Sequence, residues 1–147
     1  MLFQPKKIKF KKIHKASLSN IKIKSKINYG SVGLKALQSG TLTARQIESA
    51  RKTISRKTKR KGKIWIKVFP NLPVTSKSSG VRMGKGVGKI SHWVARVRGG
   101  TVLFELLGIK SKDAIEALRS GGMKLSIKTK TIELGKIKKY GTKKTIW

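Results

Sequence analysis

The sequence predicts one domain that combines α-helices with β-strands. Its 147 residues match the usual size of a single domain. A capping box at Thr43 predicts a helix, and alternating apolar and polar residues at 63–69 predict a strand. Apolar residues make up only 37% of the chain, which allows a thin core with basic segments around it. We therefore expect a basic arm at 1–26, a core at 27–131 with a loop at 70–90, and a basic tail at 132–147.

The first helix is predicted to begin at Thr43, which has capping-box spacing to Gln46. Leu42 and Ile47 occupy the positions of a hydrophobic staple. At about 100° per residue, Ile47, Ala50 and Ile54 share one apolar face of this helix. The opposite face is cationic and carries Arg45, Lys52, Arg56 and Lys59. Such a cationic face is either an ordinary solvated surface or a contact with RNA. Glu48, expected to pair with Lys52, is the only acid of this helix, so the one-signed face favours RNA.

The segment 63–69 presents two different faces. Ile64, Ile66 and Val68 are expected to face the core. The other face alternates cations with aromatic rings, namely Lys63, Trp65, Lys67 and Phe69. Trp65 either stacks on a base or, as is more common, covers a second apolar layer. Upstream, the sequence YGSVG at 29–33 indicates a strand end or a turn.

A long loop is predicted at 71–90, because Pro70 and Pro73 end the strand and the segment is rich in Ser, Gly and Lys. Its sequence GKGVGK at 84–89 resembles a phosphate-binding loop only superficially. A Walker loop requires Gly at Met83 and Ser or Thr at Ile90, and a dinucleotide motif requires Gly at Lys89. Glycines that alternate with cations instead suit a backbone entering a narrow RNA crevice.

The second half of the chain is predicted to contain a hairpin, a helix and a last strand. The hairpin joins strands at 91–98 and 101–107 through Gly99-Gly100. Ser111 is expected to cap the second helix, which Gly121-Gly122 ends. This helix carries the apolar residues Ile115 and Leu118, and Leu125, Ile127 and Thr129 indicate a last strand.

The charge balance indicates a polyanionic partner. Thirty-seven Lys and Arg residues face five Asp and Glu residues, which leaves a net charge of +32. An isolated domain with this surplus repels itself, whereas phosphate backbones neutralise it and release counterions. Binding to a membrane surface would require a basic amphipathic helix with bulky apolar residues opposite its cations, or a lipid anchor, and a membrane span would require roughly 20 apolar residues. The sequence shows neither, so nucleic acid is the favoured partner.

Candidate catalytic and metal-binding residues are sparse, so we predict no catalytic site, metal or cofactor. The chain has no cysteine, which excludes disulfides, Cys-based zinc sites and thiol catalysis. No acid lies at a motif spacing from His14 or His92 that indicates a catalytic or metal site; the acids considered are Glu105, Asp113, Glu116 and Glu133. Asp113 and Glu116 suit the first turns of a helix, and His92 suits a structural role. The N-terminus has neither a secretory signal nor an obvious transit peptide.

Two stretches of the sequence are similar to the signatures of bacterial-type large-subunit ribosomal protein sixteen. They are KRKGKIWIKVFP at 59–70 and RMGKG at 82–86. The N-terminus, LTARQIE at 42–48 and LSIKT at 125–129 also resemble this family, in the same order, to about residue 131. The departures are an inserted Phe3, Val87 where the family usually has lysine, a changed arm after Lys15, and Ser120-Gly121-Gly122 in the Ala-rich second helix.

The resemblance implies an α+β fold of the hammerhead type, with a small, mostly antiparallel sheet, two helices and a long central loop. It implies a structural protein without enzymatic activity, bound to large-subunit rRNA beside the aminoacyl-tRNA site. We expect rRNA phosphates to contact Lys6, Lys7, Lys9, Lys11, Lys12, His14, Lys15, Arg45, Lys52, Arg56, Lys59, Arg60, Lys63 and Lys67. The loop residues expected near the tRNA and the peptidyl-transferase region are Arg82, Met83, Gly84, Lys85, Gly86 and Lys89.

The expected partners are large-subunit rRNA, aminoacyl-site tRNA and neighbouring ribosomal proteins, with no membrane and no homo-oligomer. A nucleoid-type DNA architectural protein would share the charge but would not need the long Gly/Lys loop. An RNA-modifying enzyme would need a cofactor or an acid/base pair. The bias towards Lys and Ile is typical of an AT-rich genome. We therefore expect a mitochondrial protein, with a plastid or a bacterial cytoplasm as alternatives.

Overall fold

The computed structural model describes residues 4–10, 12–14, 16–18 and 23–134. Two predicted arm contacts, Lys11 and Lys15, lie outside these residues, as does the tail beyond Leu134. Along the described chain, helices and strands follow in this order: β1 (Val32–Ala36), β2 (Gly40–Thr43), α1 (Ala44–Lys57), β3 (Lys63–Ile66), β4 (Leu72–Ser76), β5 (Lys89–Val97), β6 (Val102–Leu107), α2 (Ser111–Gly122) and β7 (Thr129–Glu133).

The strands form two small antiparallel sheets. One sheet has the order β3-β6-β1-β7, and the other has the order β2-β5-β4. Helix α2 packs on β1 and β7 of the larger sheet, while α1 contacts α2 and reaches β2 and β5 of the smaller one. The predicted α+β class with two helices and antiparallel strands is confirmed, although the strands are divided between two sheets.

Helix α1 begins where the sequence predicts. The Thr43 hydroxyl accepts from the Gln46 backbone N–H at 3.3 Å, and the Gln46 side chain accepts from the Thr43 N–H at 3.0 Å. Leu42 and Ile47 of the staple are both fully buried. The helix ends at Lys57, and the backbone of Lys59 turns left-handed with φ of 50°. The prediction that Lys59 extends the helix face is therefore wrong.

Strands β5 and β6 do not form the predicted hairpin. Strand β5 pairs with β2 and β4, whereas β6 pairs with β1 and β3, so the connection passes from one sheet to the other. At Gly100, φ is +94° and the N–H donates to the Ala36 carbonyl at 2.7 Å. A Gly-Gly pair indicates a tight turn, but the long-range partners of the two strands determine whether they pair.

The predicted loop at 71–90 is shorter, because β4 lies within it. Strand β4 pairs with β5 from Leu72 to Ser76 and leaves a hairpin loop at 77–88. Pro73 is compatible with this strand because β4 is at the edge of its sheet, where a missing N–H breaks no ladder. The segment is thus a β-hairpin with a long Gly/Lys tip.

Helix α2 begins without a side-chain cap. Its N-cap is Lys110, so the prediction that Ser111 caps the helix is wrong. The helix ends at Gly122 as predicted, and its last glycines also permit close packing. A Cβ on Gly121 would lie 2.5 Å from Cγ1 of Ile54 in α1. Small residues at this contact bring the two helices together.

The core lies between the larger sheet and the two helices. Its largest fully buried side chains include Phe104, Leu34, Ile54 and Leu118. The predicted inward positions of the segment 63–69 are confirmed, since Ile64 and Ile66 of β3 and Val68 after it pack against this core. The strand itself is shorter than predicted and ends at Ile66. Ile127 is also buried, but the last strand begins only at Thr129, after the position that the sequence predicts, where it pairs with β1.

Candidate nucleic-acid interface

A groove of about 950 Å³ runs along the solvent side of α1. The predicted cations Arg45, Lys52 and Arg56 line it together, and all are exposed. Because the buried residues of α1 are Ile47, Ala50 and Ile54, its apolar and cationic faces are opposite, as predicted. Lys59 and Arg60 are exposed but do not line the groove, since they follow the end of the helix.

The other wall of the groove was not predicted. It contains Ser91, His92 and Trp93 of β5, and Lys124 after α2 adds a further cation. His92 is exposed, and its Nδ1 lies 3.3 Å from the Ser91 hydroxyl. No local pattern links these residues to α1, because β2 brings α1 and β5 together by pairing with β5. The groove therefore contains cations, an indole ring, a hydroxyl and the carboxylate of Glu48.

Glu48 on α1 binds Arg51 rather than Lys52, so the predicted pair with Lys52 is wrong. Nε of Arg51 donates to Oε2 at 2.9 Å and Nη2 donates to Oε1 at 2.7 Å. A guanidinium binds both carboxylate oxygens with a fixed geometry that an ammonium does not offer. This hydrogen bonding lowers the pKa of Glu48 and raises the pKa of Arg51. Lys52 is thus left to face the groove.

Glu116 on α2 also pairs with a cation outside the predicted interface. Nζ of Lys57 donates to its Oε1 at 2.7 Å, and this hydrogen bond lowers the pKa of Glu116. Asp113 lies in the first turn of α2, as predicted. The ion pairs of Glu48 and Glu116 therefore involve Arg51 and Lys57, and neither of these cations belongs to the predicted rRNA contacts.

The tip at 77–88 is exposed but held by lysines. Arg82, Lys85 and Met83 project from it, and Met83 is 90% exposed. Nζ of Lys77 donates to the Gly84 carbonyl at 2.5 Å and to the Arg82 carbonyl at 3.4 Å. From the arm, Nζ of Lys12 donates to the carbonyl of Val87 at 2.8 Å.

The backbone of the tip is left-handed at Gly84, Lys85 and Gly86, with φ of 95°, 50° and 87°. Glycine adopts this conformation without strain, which explains its alternation with cations here. Gly84 and Gly86 have open space around the position of a Cβ, so the tip is not buried against the domain. Lys89 is the first residue of β5 and ends the tip.

The described part of the arm carries exposed cations near the smaller sheet. Lys6, Lys7, Lys9 and Lys12 are exposed, as is His14. Nη2 of Arg96 in β5 donates to the His14 carbonyl at 3.1 Å, which ties the arm to this sheet. The arm thus lies beside the strand that forms one wall of the groove.

A second cationic surface lies on edge strand β3. Lys63 and Lys67 are exposed, with their ammonium groups over the rings of Trp65 and Tyr29, respectively. The two rings stack on each other with centroids 6.0 Å apart. Tyr29 was not predicted as part of any site. The segment before β1 carries it, and nothing local indicated that this segment reaches β3.

Within residues 4–10, 12–14, 16–18 and 23–134, no group of three or more His, Asp and Glu residues could hold a metal ion. None of the helices in that part of the chain is long and apolar enough to cross a membrane.

Comparisons with known proteins identify the family to which this chain is similar. The family model described as ribosomal protein L16p/L10e matches residues 5–132. The large ribosomal subunit protein uL16 of Buchnera aphidicola subsp. Cinara cedri (strain Cc) is 48% identical over 128 residues, which cover 87% of this chain and 94% of that protein. The matched residues of the family model include all the predicted contact residues.

The Glu48–Arg51 pair yields a prediction for carboxylate titration. Arg51→Gln is expected to raise the pKa of Glu48 towards its usual value, because the hydrogen bond from Arg51 is the main cause of its lowering. Lys52→Gln is the matched control, since it removes one adjacent charge and no hydrogen bond, and is expected to raise the pKa less. NMR titration of the Glu48 carboxyl carbon measures this pKa in both variants. Equal pKa changes in the two variants would contradict the conclusion that Arg51 is the main partner of Glu48.

The same pair makes a small contribution to stability that depends on pH. Because folding lowers the pKa of Glu48, this contribution is present at neutral pH and is lost as the pH falls through the titration of the carboxylate. For a pair at the protein surface it amounts to at most about 1 kcal/mol. Chemical unfolding of the wild type and Arg51→Gln should therefore differ near neutrality and converge in acid.

Proposed function

Because this chain belongs to the ribosomal protein L16p/L10e family, we propose that its cationic surfaces bind large-subunit rRNA next to the aminoacyl-tRNA site. The chain is a structural constituent of the large ribosomal subunit, and its family is not one of enzymes. The observation that carries the proposal is the α1 groove, where Arg45, Lys52 and Arg56 lie together and form no ion pair with a carboxylate of the described residues. Glu48 also lines the groove, but Arg51 binds both of its carboxylate oxygens.

The groove binds RNA through its phosphates. Guanidinium groups bind phosphate oxygens with two donors, and the ammonium groups of Lys52 and Lys124 add point charges along the channel. Each contact releases condensed counterions, which makes binding dependent on salt. Phosphate contacts carry no sequence information, so the shape of the folded rRNA determines which site is occupied.

The arm and the β3 surface extend this contact beyond the groove. The remaining proposed phosphate ligands are Lys6, Lys7, Lys9, Lys11, Lys12, His14, Lys15, Lys59, Arg60, Lys63 and Lys67. The described cations among them are exposed, which supports this role. The two small sheets hold the arm, the groove and the β3 surface in fixed relative positions. Neighbouring ribosomal proteins contact the rest of the surface, and the chain enters the subunit as a single copy.

The hairpin tip at 77–88 lies near the aminoacyl-site tRNA and the peptidyl-transferase region. Its exposed Arg82, Met83 and Lys85, between Gly84 and Gly86 and ahead of Lys89, form a narrow cationic end that fits between RNA segments. Lys77 and Lys12 hold the tip through backbone carbonyls, so its cations are presented in a defined shape before tRNA binds.

We infer a mitochondrial ribosome as the location of the chain. The excess of Lys and Ile supports coding from an AT-rich genome, such as that of an organelle. A plastid or a bacterial cytoplasm fits the same features, and the relative described above is bacterial. The genes that flank the coding sequence in the genome of origin distinguish these locations.

The role of the groove yields a prediction for salt dependence. Arg56→Gln is expected to weaken binding to large-subunit rRNA several-fold and to flatten the slope of log K against log salt concentration by about one, because one phosphate contact is lost. Lys57→Gln removes the same charge from the neighbouring position, but Lys57 already pairs with Glu116, so its effect should be smaller. If the two variants changed the rRNA affinity and the salt slope equally, or if wild-type binding were insensitive to salt, the proposal that the groove binds rRNA phosphates would be refuted.

The role of the tip yields a separate prediction for tRNA. Arg82→Ala combined with Lys85→Ala is expected to weaken aminoacyl-tRNA binding to assembled ribosomes about tenfold, which corresponds to roughly 1.4 kcal/mol of lost contacts. Incorporation of the protein into the subunit should be retained, since the groove is intact. Lys110→Ala with Lys112→Ala, two exposed cations at the start of α2, is the matched control. Unchanged tRNA binding by the tip variant would exclude this role.

A further inference from the structure

We propose that Tyr29 and Trp65 form a stacking site for an unpaired base of the rRNA. The proposal rests on the function proposed above and adds to it a contact with a base rather than a phosphate. It is carried by three observations: a preformed pair of aromatic rings, cations placed over both rings, and a buried carboxylate that fixes the turn bearing Tyr29.

The two rings form a preformed aromatic surface at the edge of the larger sheet. Their centroids are 6.0 Å apart with an angle of 23° between the ring planes. Strand β3 pairs only with β6 in that sheet, so its far edge has no neighbouring strand among the described residues. Tyr29 is 57% exposed, whereas Trp65 is half-buried. A planar base can therefore extend the stack on the exposed ring.

Both rings already attract cations. Nζ of Lys67 lies 4.4 Å from the ring centroid of Tyr29, and Nζ of Lys63 lies 5.3 Å from that of Trp65. Lysine side chains are flexible, so these ammonium groups can move from the ring faces to the phosphates of an incoming nucleotide. The surface thus offers a partner for the base and for the phosphates on either side of it.

Glu105 fixes the position of Tyr29 through hydrogen bonds to the backbone of its turn. The carboxylate of Glu105 is fully buried and accepts the backbone N–H groups of Asn28, Tyr29 and Gly30. The shortest of these hydrogen bonds, from Tyr29, is 2.7 Å. Burying a carboxylate is unfavourable unless such donors compensate it. One of only five acids in the chain therefore serves to order this turn, as expected for a surface that must be rigid before it binds.

The charge around the rings favours RNA over a protein partner. The exposed charged groups that contact the rings are Lys63 and Lys67, whereas the acid nearby, Glu105, is buried and bound to amides. Stacking on an aromatic ring is tolerant of sequence because every base has a π-face. An rRNA segment with one unstacked base therefore complements both the rings and the cations.

The test compares the rRNA affinity of variants over a range of salt concentrations. Tyr29→Ala is expected to weaken binding to large-subunit rRNA by about 5- to 150-fold, the range for loss of one base–aromatic stack. The slope of log K against log salt concentration should stay unchanged, because no phosphate contact is removed. Tyr29→Phe keeps the ring and should bind like the wild type. Lys67→Gln should instead flatten the slope.

Met123→Ala serves as the control for loss of an exposed apolar side chain, since Met123 is 75% exposed at the end of α2. Circular dichroism checks that Tyr29→Ala is folded. A second measurement needs no variant: ultraviolet crosslinking of the wild-type chain in assembled large subunits, followed by mass spectrometry, should find a nucleotide attached to the peptide that contains Tyr29 or Trp65.

Each other outcome would overturn the proposal in a distinguishable way. Unchanged affinity of Tyr29→Ala and absence of the crosslink would assign the surface to a protein neighbour. A flattened slope for Tyr29→Ala would mean that the ring only positions Lys67 on a phosphate. If the wild type itself did not bind rRNA, the function proposed for the whole chain would fail, and the stacking site with it.

Discussion

The surplus of cations is the constraint on which the rest of the structure depends. Thirty-seven Lys and Arg residues face five acids, and at least three of those acids are engaged within the domain. Glu105 binds backbone amides, while Glu48 and Glu116 pair with Arg51 and Lys57. The acids thus stabilise local geometry and do little to neutralise the surface. Most of the positive charge can be balanced only from outside, and a folded polyanion places phosphates along a shape that the protein can match.

The fold distributes this charge over three rigid supports. Helix α1 packs its apolar face on α2 and presents its cations to the groove beside β5. The β4–β5 hairpin carries the Gly/Lys tip away from the core, where Lys77 and Lys12 hold its backbone. Edge strand β3 presents lysines over an aromatic pair. A thin core is sufficient here because α1, the β4–β5 hairpin and β3 each need only one buried face.

The sequence predicted correctly those structural features that depend on residues close together in the chain. The capping box at Thr43 and the alternation around Ile64 and Ile66 were both confirmed, because each depends on residues within a few positions. The predicted hairpin between β5 and β6 was wrong, since pairing with β2 and β4 outweighs the Gly-Gly turn. The groove wall at Trp93 and the contact of Tyr29 with Trp65 escaped prediction because residues distant in sequence position them: β2 pairs with the strand of Trp93, and Glu105 binds the backbone of Tyr29. The placement of the predicted contacts on rRNA and tRNA remains a prediction.

The central claim is that folded RNA, rather than any polyanion, neutralises this surface. It is tested most directly by competition at physiological salt, in which the full-length chain bound to a structured large-subunit rRNA fragment is challenged with duplex DNA containing the same number of phosphates. We predict that a large excess of DNA leaves the complex intact, because the groove, the tip and the β3 surface match RNA shape as well as charge. Displacement by an equal amount of DNA would contradict it.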